Sequence, residues 1–393
     1  MKAYRFFAPT EVRFGAGQLG ELHTLFLPGR RALLVTSSGK SAIRNGSLAK
    51  TADELEKAGC ESVLFNQITS NPLKQAVEEG AQLARESGCD FVVALGGGSV
   101  LDAAKCIAML APQETSDLWD YAHTPTGKGL TPENPALPWV AIPTSSGTGS
   151  EVDPIGAILY PEADEKAGIG GLPSMMARYA IVDPELMRTV PPKFTLYQGY
   201  DALAHCMEGY LSKRQNPMAD MVQRTAIEHI GRNLARAVRD GDDIEARSAL
   251  AFASTLGGYS LGMCGCISGH AMEQAMNVYH PEIPHGAALL MLSEAYFGFW
   301  VEKHVAEDRF VALARFLGKA DATRPEDFLA ALRRLKEDCG AADLRLSDYG
   351  VTADEAKKFA HKACTELNAR FQNDPAETTE AEIAGIYERA IDR

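Results

Sequence analysis

Residues 90–105 read DFVVALGGGSVLDAAK: an apolar run, three glycines, then small and apolar residues at helical spacing. The stretch predicts a buried strand that turns on GGGS (96–99) and opens a helix. Three residues without Cβ let backbone approach a diphosphate, and the helix N-terminus beyond them offers free N–H groups and a positive dipole end. Upstream, RALLVTS (31–37), a helix from about Ser41, ESVLFN (61–66) and a helix from about Pro72 to Ser87 repeat the alternation. Strands alternating with helices predict a parallel sheet with crossover helices. Downstream, a Pro/Gly/Thr-rich connection over 112–138 separates this region from WVAIPTSSGTGSE (139–151), which resumes the sheet. From Pro191–Pro192 onward strand signals cease, and 193–235, 243–262, 286–300, 303–317, 326–338 and 353–371 carry helical periodicity. The expectation is an α/β domain over 1–190 and an all-α domain over 191–393.

Composition narrows the functional classes. A net charge of −13 over 393 residues argues against nucleic acid or an anionic membrane as the main partner, because both reward clustered Lys and Arg. No apolar run reaches the roughly 18 residues of a membrane span. The start MKAYRFFAPTEVRF lacks the order of a signal peptide, and eight cysteines form no CxxC pair. The reading is a cytoplasmic protein with reduced thiols. Cys264 and Cys266, in GMCGCISGH, read as packing residues, although two thiols so close are also potential soft metal ligands.

Three glycine patterns compete as cofactor loops. GAGQLG (15–20) matches the dinucleotide string literally but lacks a βα context, and reads as a tight turn. The GGGS loop has that context. PTSSGTGSE (143–151) follows another strand and offers the hydroxyls of Thr144, Ser145, Ser146 and Thr148 to a phosphate, ribose or amide, or forms an ordinary Ser/Gly turn. In the helical half, GYDALAHCMEGY (199–210) sets Asp201 and His205 one helical turn apart, on one face. They can share a cation or hydrogen-bond to each other. With His270 and His285 they make a carboxylate and three imidazoles, a set suited to divalent iron or zinc. His280 competes for a ligand place; His23, His123, His229, His304 and His361 read as ordinary.

GGGSVLDAAK, PTSSGTGSEVDPIGAI, AIVDPELMRTVPP, GYDALAHCMEGYLSKRQNP and HPEIPHG, in this order, resemble the iron-containing (group III) alcohol dehydrogenases from about residue 14 to residue 375. The resemblance implies a dinucleotide-binding domain over 1–190 and a metal-binding catalytic domain over 191–393. It implies hydride transfer between a small alcohol or aldehyde and a nicotinamide, assisted by a divalent metal, Fe2+ or Zn2+. By motif match the metal ligands are Asp201, His205, His270 and His285. The diphosphate loop is Gly97, Gly98 and Ser99, with Asp102 near the nicotinamide; Thr144, Ser145 and Thr148 form the second cofactor loop, and Asn71 and Lys166 also contact cofactor. A homodimer or higher homo-oligomer is expected.

Two departures stand out. Many members of this family carry a proton-relaying histidine four residues after the third ligand; here that place holds Gln274, which hydrogen-bonds but cannot titrate. After the second strand, where NAD-using members offer an aspartate to the ribose, the chain reads VTSSGKS. Ser37, Ser38 and Gly39 present no carboxylate to repel a 2′-phosphate, so NADP(H) is expected in preference to NAD(H), with some use of the latter. A dehydroquinate-synthase-like lyase and a catalytically weak, assembly-forming relative of the fold are the alternatives.

Overall fold

The computed structural model describes residues 3–392. Strands β1 (Glu11–Phe14), β2 (Arg31–Ser37), β3 (Glu61–Ile68), β4 (Phe91–Gly96) and β5 (Trp139–Pro143) precede a hairpin of β6 (Ile155–Tyr160) and β7 (Glu165–Gly170), and β8 (Tyr179–Val182) follows it. All but the hairpin strands form one six-stranded sheet in the order β1-β8-β5-β4-β2-β3. Every pairing in that sheet is parallel. Helices α1 (Ser41–Arg44), α2 (Ser47–Lys57), α3 (Lys74–Glu86) and α4 (Gly98–Leu110) make the crossovers. β4 is buried along its whole length, which is why it reads as a continuous apolar run.

From β2 the chain passes outward to β3, whereas from β4 it passes to β5 on the other side. The direction of winding therefore reverses between β2 and β4. In open α/β sheets, ligands bind beyond the carboxyl ends of the strands at such a reversal. The turns there are those that begin at Ser37 and at Gly96.

Several elements depart from the sequence expectation. The helix expected from Ser41 breaks at Gly46, whose φ of 78° ends α1 before α2 begins. β1 is a four-residue edge strand, EVRF, and β8 has only four residues, too short for a periodic signal. The β6–β7 hairpin was hidden by its own glycines, which weaken a strand pattern.

A second unit comprises residues 190–392 together with the described residues before Phe7. It contains α5 (Pro192–Leu211), α6 (Pro217–Arg239), α7 (Ile244–Cys264), α8 (Ser268–Tyr279), α9 (His285–Glu302), α10 (Glu307–Phe316), α11 (Glu326–Asp338), α12 (Ala356–Glu366) and α13 (Glu380–Ile391), and none of its described residues forms a strand. The helical run expected over 193–235 is two helices. Asn216 ends the linker by accepting from Ala219 N at 3.0 Å, with Pro217 in the first turn of α6. Helix α8 escaped the sequence reading because its first ten residues are all buried, leaving no polar stripe to reveal the period. The run expected over 353–371 is helical as α12 and then a short 3-10 segment, Asn368–Asn373. The core of the unit gathers around α5, α8 and α9, with Tyr200, Met272, Met276, Tyr296 and Trp300 inside.

Candidate functional site

In the sheet unit the two glycine loops lie against each other. A Cβ on Gly98 would sit 2.3 Å from Thr148 Cγ2, and one on Gly97 would sit 3.2 Å from Ser145 Oγ. Only residues without side chains fit this close approach. Thr144 N donates to Gly96 O at 2.9 Å, tying the ends of β4 and β5 together. Ser99 lies in the first turn of α4, where backbone N–H groups have no helical acceptor. Asp102 comes a turn later: its carboxylate accepts Ser150 Oγ at 2.5 Å and Ala157 N at 2.9 Å, while burial pulls its ionisation up. Asn71, in the left-handed region at φ 52°, accepts from Lys166 Nζ at 3.1 Å. Ser37 ends β2 and Gly39 lies two residues on, with Ser38 N between them donating to Ile68 O at 2.8 Å. In GAGQLG the first three residues form a turn, with Gly15 and Gly17 at positive φ, and Gln18 begins a 3-10 segment, Gln18–Thr24.

One buried cation escaped the sequence reading. Lys105 Nζ, wholly buried over the Trp139 ring, donates to Ser150 O, Asp153 O and Ile155 O at 2.9–3.0 Å. It thereby fixes the backbone that carries Ser150, the partner of Asp102.

In the helical unit the four expected residues converge. The Nε2 atoms of His205 and His270 each lie 3.6 Å from Asp201 Oδ1, and that of His285 lies 3.3 Å away. Three different helices supply them: α5 carries Asp201 and His205 on one face, α8 brings His270, and His285 opens α9. Gly286 fixes this last approach, since a Cβ there would collide with Tyr197 O at 1.9 Å. The imidazoles of His205 and His270 stack with centroids 4.6 Å apart.

Two carboxylates behind the cluster were not anticipated. Glu208 Oε1 is 2.7 Å from His270 Nδ1 and its Oε2 accepts Ile267 N at 2.9 Å. Glu273 Oε2 lies 2.6 Å from His285 Nδ1. Each glutamate stands three residues after a histidine, in HCME and HAME, and this repeated spacing is the signal that could have found them. Gln274 is buried on α8, one turn beyond His270. His280 is turned elsewhere, with its nitrogens near Glu282 and Glu355 at 3.1–3.3 Å. Cys264 is a packing residue in a small cluster with Ala219, Val222 and Met263. Cys266 differs from that expectation, since its thiol lies with the His205 and His270 nitrogens inside a 4.8 Å group.

The electrostatics agree with a cation-binding centre. Burial works against ionisation of Asp201, yet the facing imidazoles of His205 and His285 hold its carboxyl well below the usual range. Burial lowers His205 to about 3. His270 resists burial through Cys266 and Glu208 and lies well above its ordinary value, and His285 is raised to about 9 by Glu273 and Asp201. Asp201 Oδ1 and His270 Nε2 are buried without a hydrogen-bond partner and point at one place. Buried polar atoms are rarely left so, and a carboxylate with three imidazoles is a donor set for divalent zinc or iron. The residues fit a metal, and the glycine cradle with the free end of α4 fits a dinucleotide.

Comparison with known proteins agrees over both halves. The iron-containing alcohol dehydrogenase family matches residues 9–184, and the C-terminal model of the Fe-containing alcohol dehydrogenase family matches 195–391. The chain is 35% identical to a 1,3-propanediol dehydrogenase of Klebsiella pneumoniae, over 93% of this chain and 92% of that protein. Among solved structures, the archaeal Red Sea brine pool alcohol dehydrogenase ADH/D1 superposes with a TM-score of 0.92 at 32% identity, covering all of both chains. A sulfoacetaldehyde reductase from Bifidobacterium kashiwanohense, in complex with NAD+, superposes at 0.86 with 26% identity, over 99% of each chain. With both halves matched and relatives above 30% identity over nearly the full length, this chain belongs to the iron-containing alcohol dehydrogenase family and is a nicotinamide-linked oxidoreductase acting on alcohols and aldehydes.

Proposed function

We propose that Asp201, His205, His270 and His285 hold Fe2+ or Zn2+, and that the sheet unit binds NADP(H) in preference to NAD(H) through Gly97, Gly98, Ser99, Asp102, Thr144, Ser145, Thr148, Asn71 and Lys166. The observation that carries the reading is the approach of three imidazole Nε2 atoms to within 3.3–3.6 Å of one carboxylate oxygen. When bound, such an ion supplies Lewis acidity toward a substrate oxygen, and the nicotinamide accepts or donates the hydride. The residues of the chain do the rest. Glu208 and Glu273 fix the ring orientations of His270 and His285 by taking their Nδ1 atoms, which leaves Nε2 of each facing Asp201. Gln274 cannot exchange a proton, so alcohol oxidation releases its proton by a route other than this side chain.

The cofactor preference rests on Ser37 and Gly39, which offer no carboxylate at the end of β2. Eight free cysteines, seven of them buried, support a cytoplasmic setting. Among the described residues no single helix is long and apolar enough to cross a membrane. The outer edge of β1, paired only with β8 and carrying exposed Phe14, supports association into a homodimer or larger homo-oligomer.

Metal analysis and cofactor titration test the assignment together. Asp201→Ala or His270→Ala should remove most bound metal and nearly all turnover while NADPH still binds, because the two sets of residues lie in different units. Wild-type metal content in either variant would overturn the ligand set. Ser37→Asp should weaken NADPH use far more than NADH use through like-charge repulsion. Equal losses with both cofactors would remove the basis for the NADP(H) preference.

A further inference from the structure

Gly265 ends α7 at φ 66°, and Cys266 follows it in the short link into α8. The backbone of this link is held on two sides: Asn373 Nδ2 donates to Cys266 O at 3.4 Å, and Ile267 N donates to Glu208 Oε2 at 2.9 Å. The two thiols of GMCGCISGH part company here. Cys264 Sγ lies 3.6 Å from Arg214 O, in its packing cluster. Cys266 Sγ lies instead among the imidazoles, where the sulfur and one nitrogen each of His205 and His270 are all within 4.8 Å of one another. All three residues are buried, and His205 Nδ1 and His270 Nε2 have no hydrogen-bond partner.

A second triplet, Asp201, His270 and His285, meets the same spacing and shares His270 with the first. The donors therefore differ in chemistry across the cluster: a carboxylate and imidazoles in one triplet, a thiol and imidazoles in the other. Thiolate sulfur is a soft donor that favours zinc, whereas a set of imidazole and carboxylate alone also suits divalent iron. Zn–S bonds of about 2.3 Å and Zn–N bonds of about 2.0–2.1 Å bring such atoms to about 3–4 Å from one another, a small closure from the observed spacing. We propose that Cys266 is a further ligand of this centre, bound through its sulfur beside His205 and His270, and that it gives the site a preference for zinc over iron. The thiol releases its proton to solvent as the metal–sulfur bond forms, so the step needs no oxidant or reductant. The inference rests on the metal-binding reading of Asp201, His205, His270 and His285 and deepens it, since that set alone leaves the ion open between Fe2+ and Zn2+.

Cobalt(II) reports sulfur ligation directly, because a bound thiolate adds an intense near-ultraviolet charge-transfer band that nitrogen and oxygen ligands do not give. The full chain is stripped with a chelator and reloaded with Co2+. The wild type should show this band together with the visible cobalt absorption, Cys266→Ser and Cys266→Ala should lose the band and keep the visible absorption, and Cys264→Ser should keep both. In competition with a chelator, Cys266→Ser should lower zinc affinity by about 10²-fold, the upper end of what loss of a residue behind a ligand costs. Iron affinity, measured without oxygen, should change by less than about threefold. A cobalt-loaded wild type with visible absorption and no charge-transfer band overturns the proposal while leaving the four-residue ligand set standing. So does a band that survives in Cys266→Ala, or an equal loss of zinc and iron affinity in Cys266→Ser. A wild type that takes up no Co2+, Zn2+ or Fe2+ overturns the metal-binding reading and the role of Cys266 with it.

Discussion

The chemistry of the centre depends on side chains that touch no substrate. Glu208 and Glu273 are almost wholly buried and each faces the Nδ1 of a clustered histidine. Partners of this kind set the tautomer and aim of an imidazole, and their loss typically costs about 10–100-fold in metal affinity. Glu208→Gln and Glu273→Gln keep shape and remove charge. Each should therefore weaken metal retention by that order in competition with a chelator, with little change in secondary structure. Undiminished affinity in both variants would mean that the helix backbones alone aim the rings. At this scale the sequence was only half legible: Asp201 and His205 declare themselves by spacing, but which carboxylate serves which imidazole is a matter of three helices meeting.

At the scale of elements, the cofactor loops work as a pair. The cradle exists because α4 begins against the loop after β5, with no space between Gly98 and Thr148. Gly98→Ala would press a methyl to 2.3 Å from Thr148 Cγ2, a distance that forces displacement. Overpacking of this kind costs about 1–3 kcal/mol, and here the strain falls on the dinucleotide loop. The variant should bind NADPH at least tenfold more weakly, on the order of 1.4 kcal/mol. Gly98→Ala combined with Thr148→Ser, which removes Cγ2, should recover much of the loss in the same fluorescence titration. No recovery would place the damage in the helix N-terminus and not in the loop contact. The strand–glycine–helix order was legible in the chain, whereas the pairing of two loops some fifty residues apart was not.

For the molecule as a whole, stability should carry a pH signature from Asp374. Burial is the leading cause of its rise from 3.8 to about 7, while its Oδ1 accepts Ser268 N. A group whose folded pKa is raised binds its proton more tightly in the folded state. Its contribution is fully present below pH 3.8 and is lost as pH rises through about 7. Asp374→Asn keeps the acceptor for Ser268 N and cannot ionise. It should be more stable than wild type at pH 8 by roughly 1–3 kcal/mol and lose most of that advantage by pH 4. Urea unfolding of both proteins at the two pH values measures this. A difference independent of pH would show that Asp374 is not the group that titrates.

The sequence by itself determined the fold class, the change from alternating strands and helices to helices alone near residue 190, the glycine loops, and the pairing of Asp201 with His205 on one helix face, while His270 and His285 joined them only through the family resemblance. These are local or one-turn patterns: apolar runs, periods of 3.6, glycine after a strand, aspartate and histidine at i and i+4. What the tertiary structure decided was non-local. Helix α8, buried on every side and so without a stripe, delivers His270 to α5; Lys105 crosses to carbonyls some fifty residues on; Glu208 and Glu273 exchange histidines between helices. Arg370 reads as one more charged residue in a polar stretch of sequence, and only packing leaves its Nη1 buried without a hydrogen-bond partner. Spacing along a chain encodes a helix face or a strand, but which faces meet is fixed by how whole elements exclude water together.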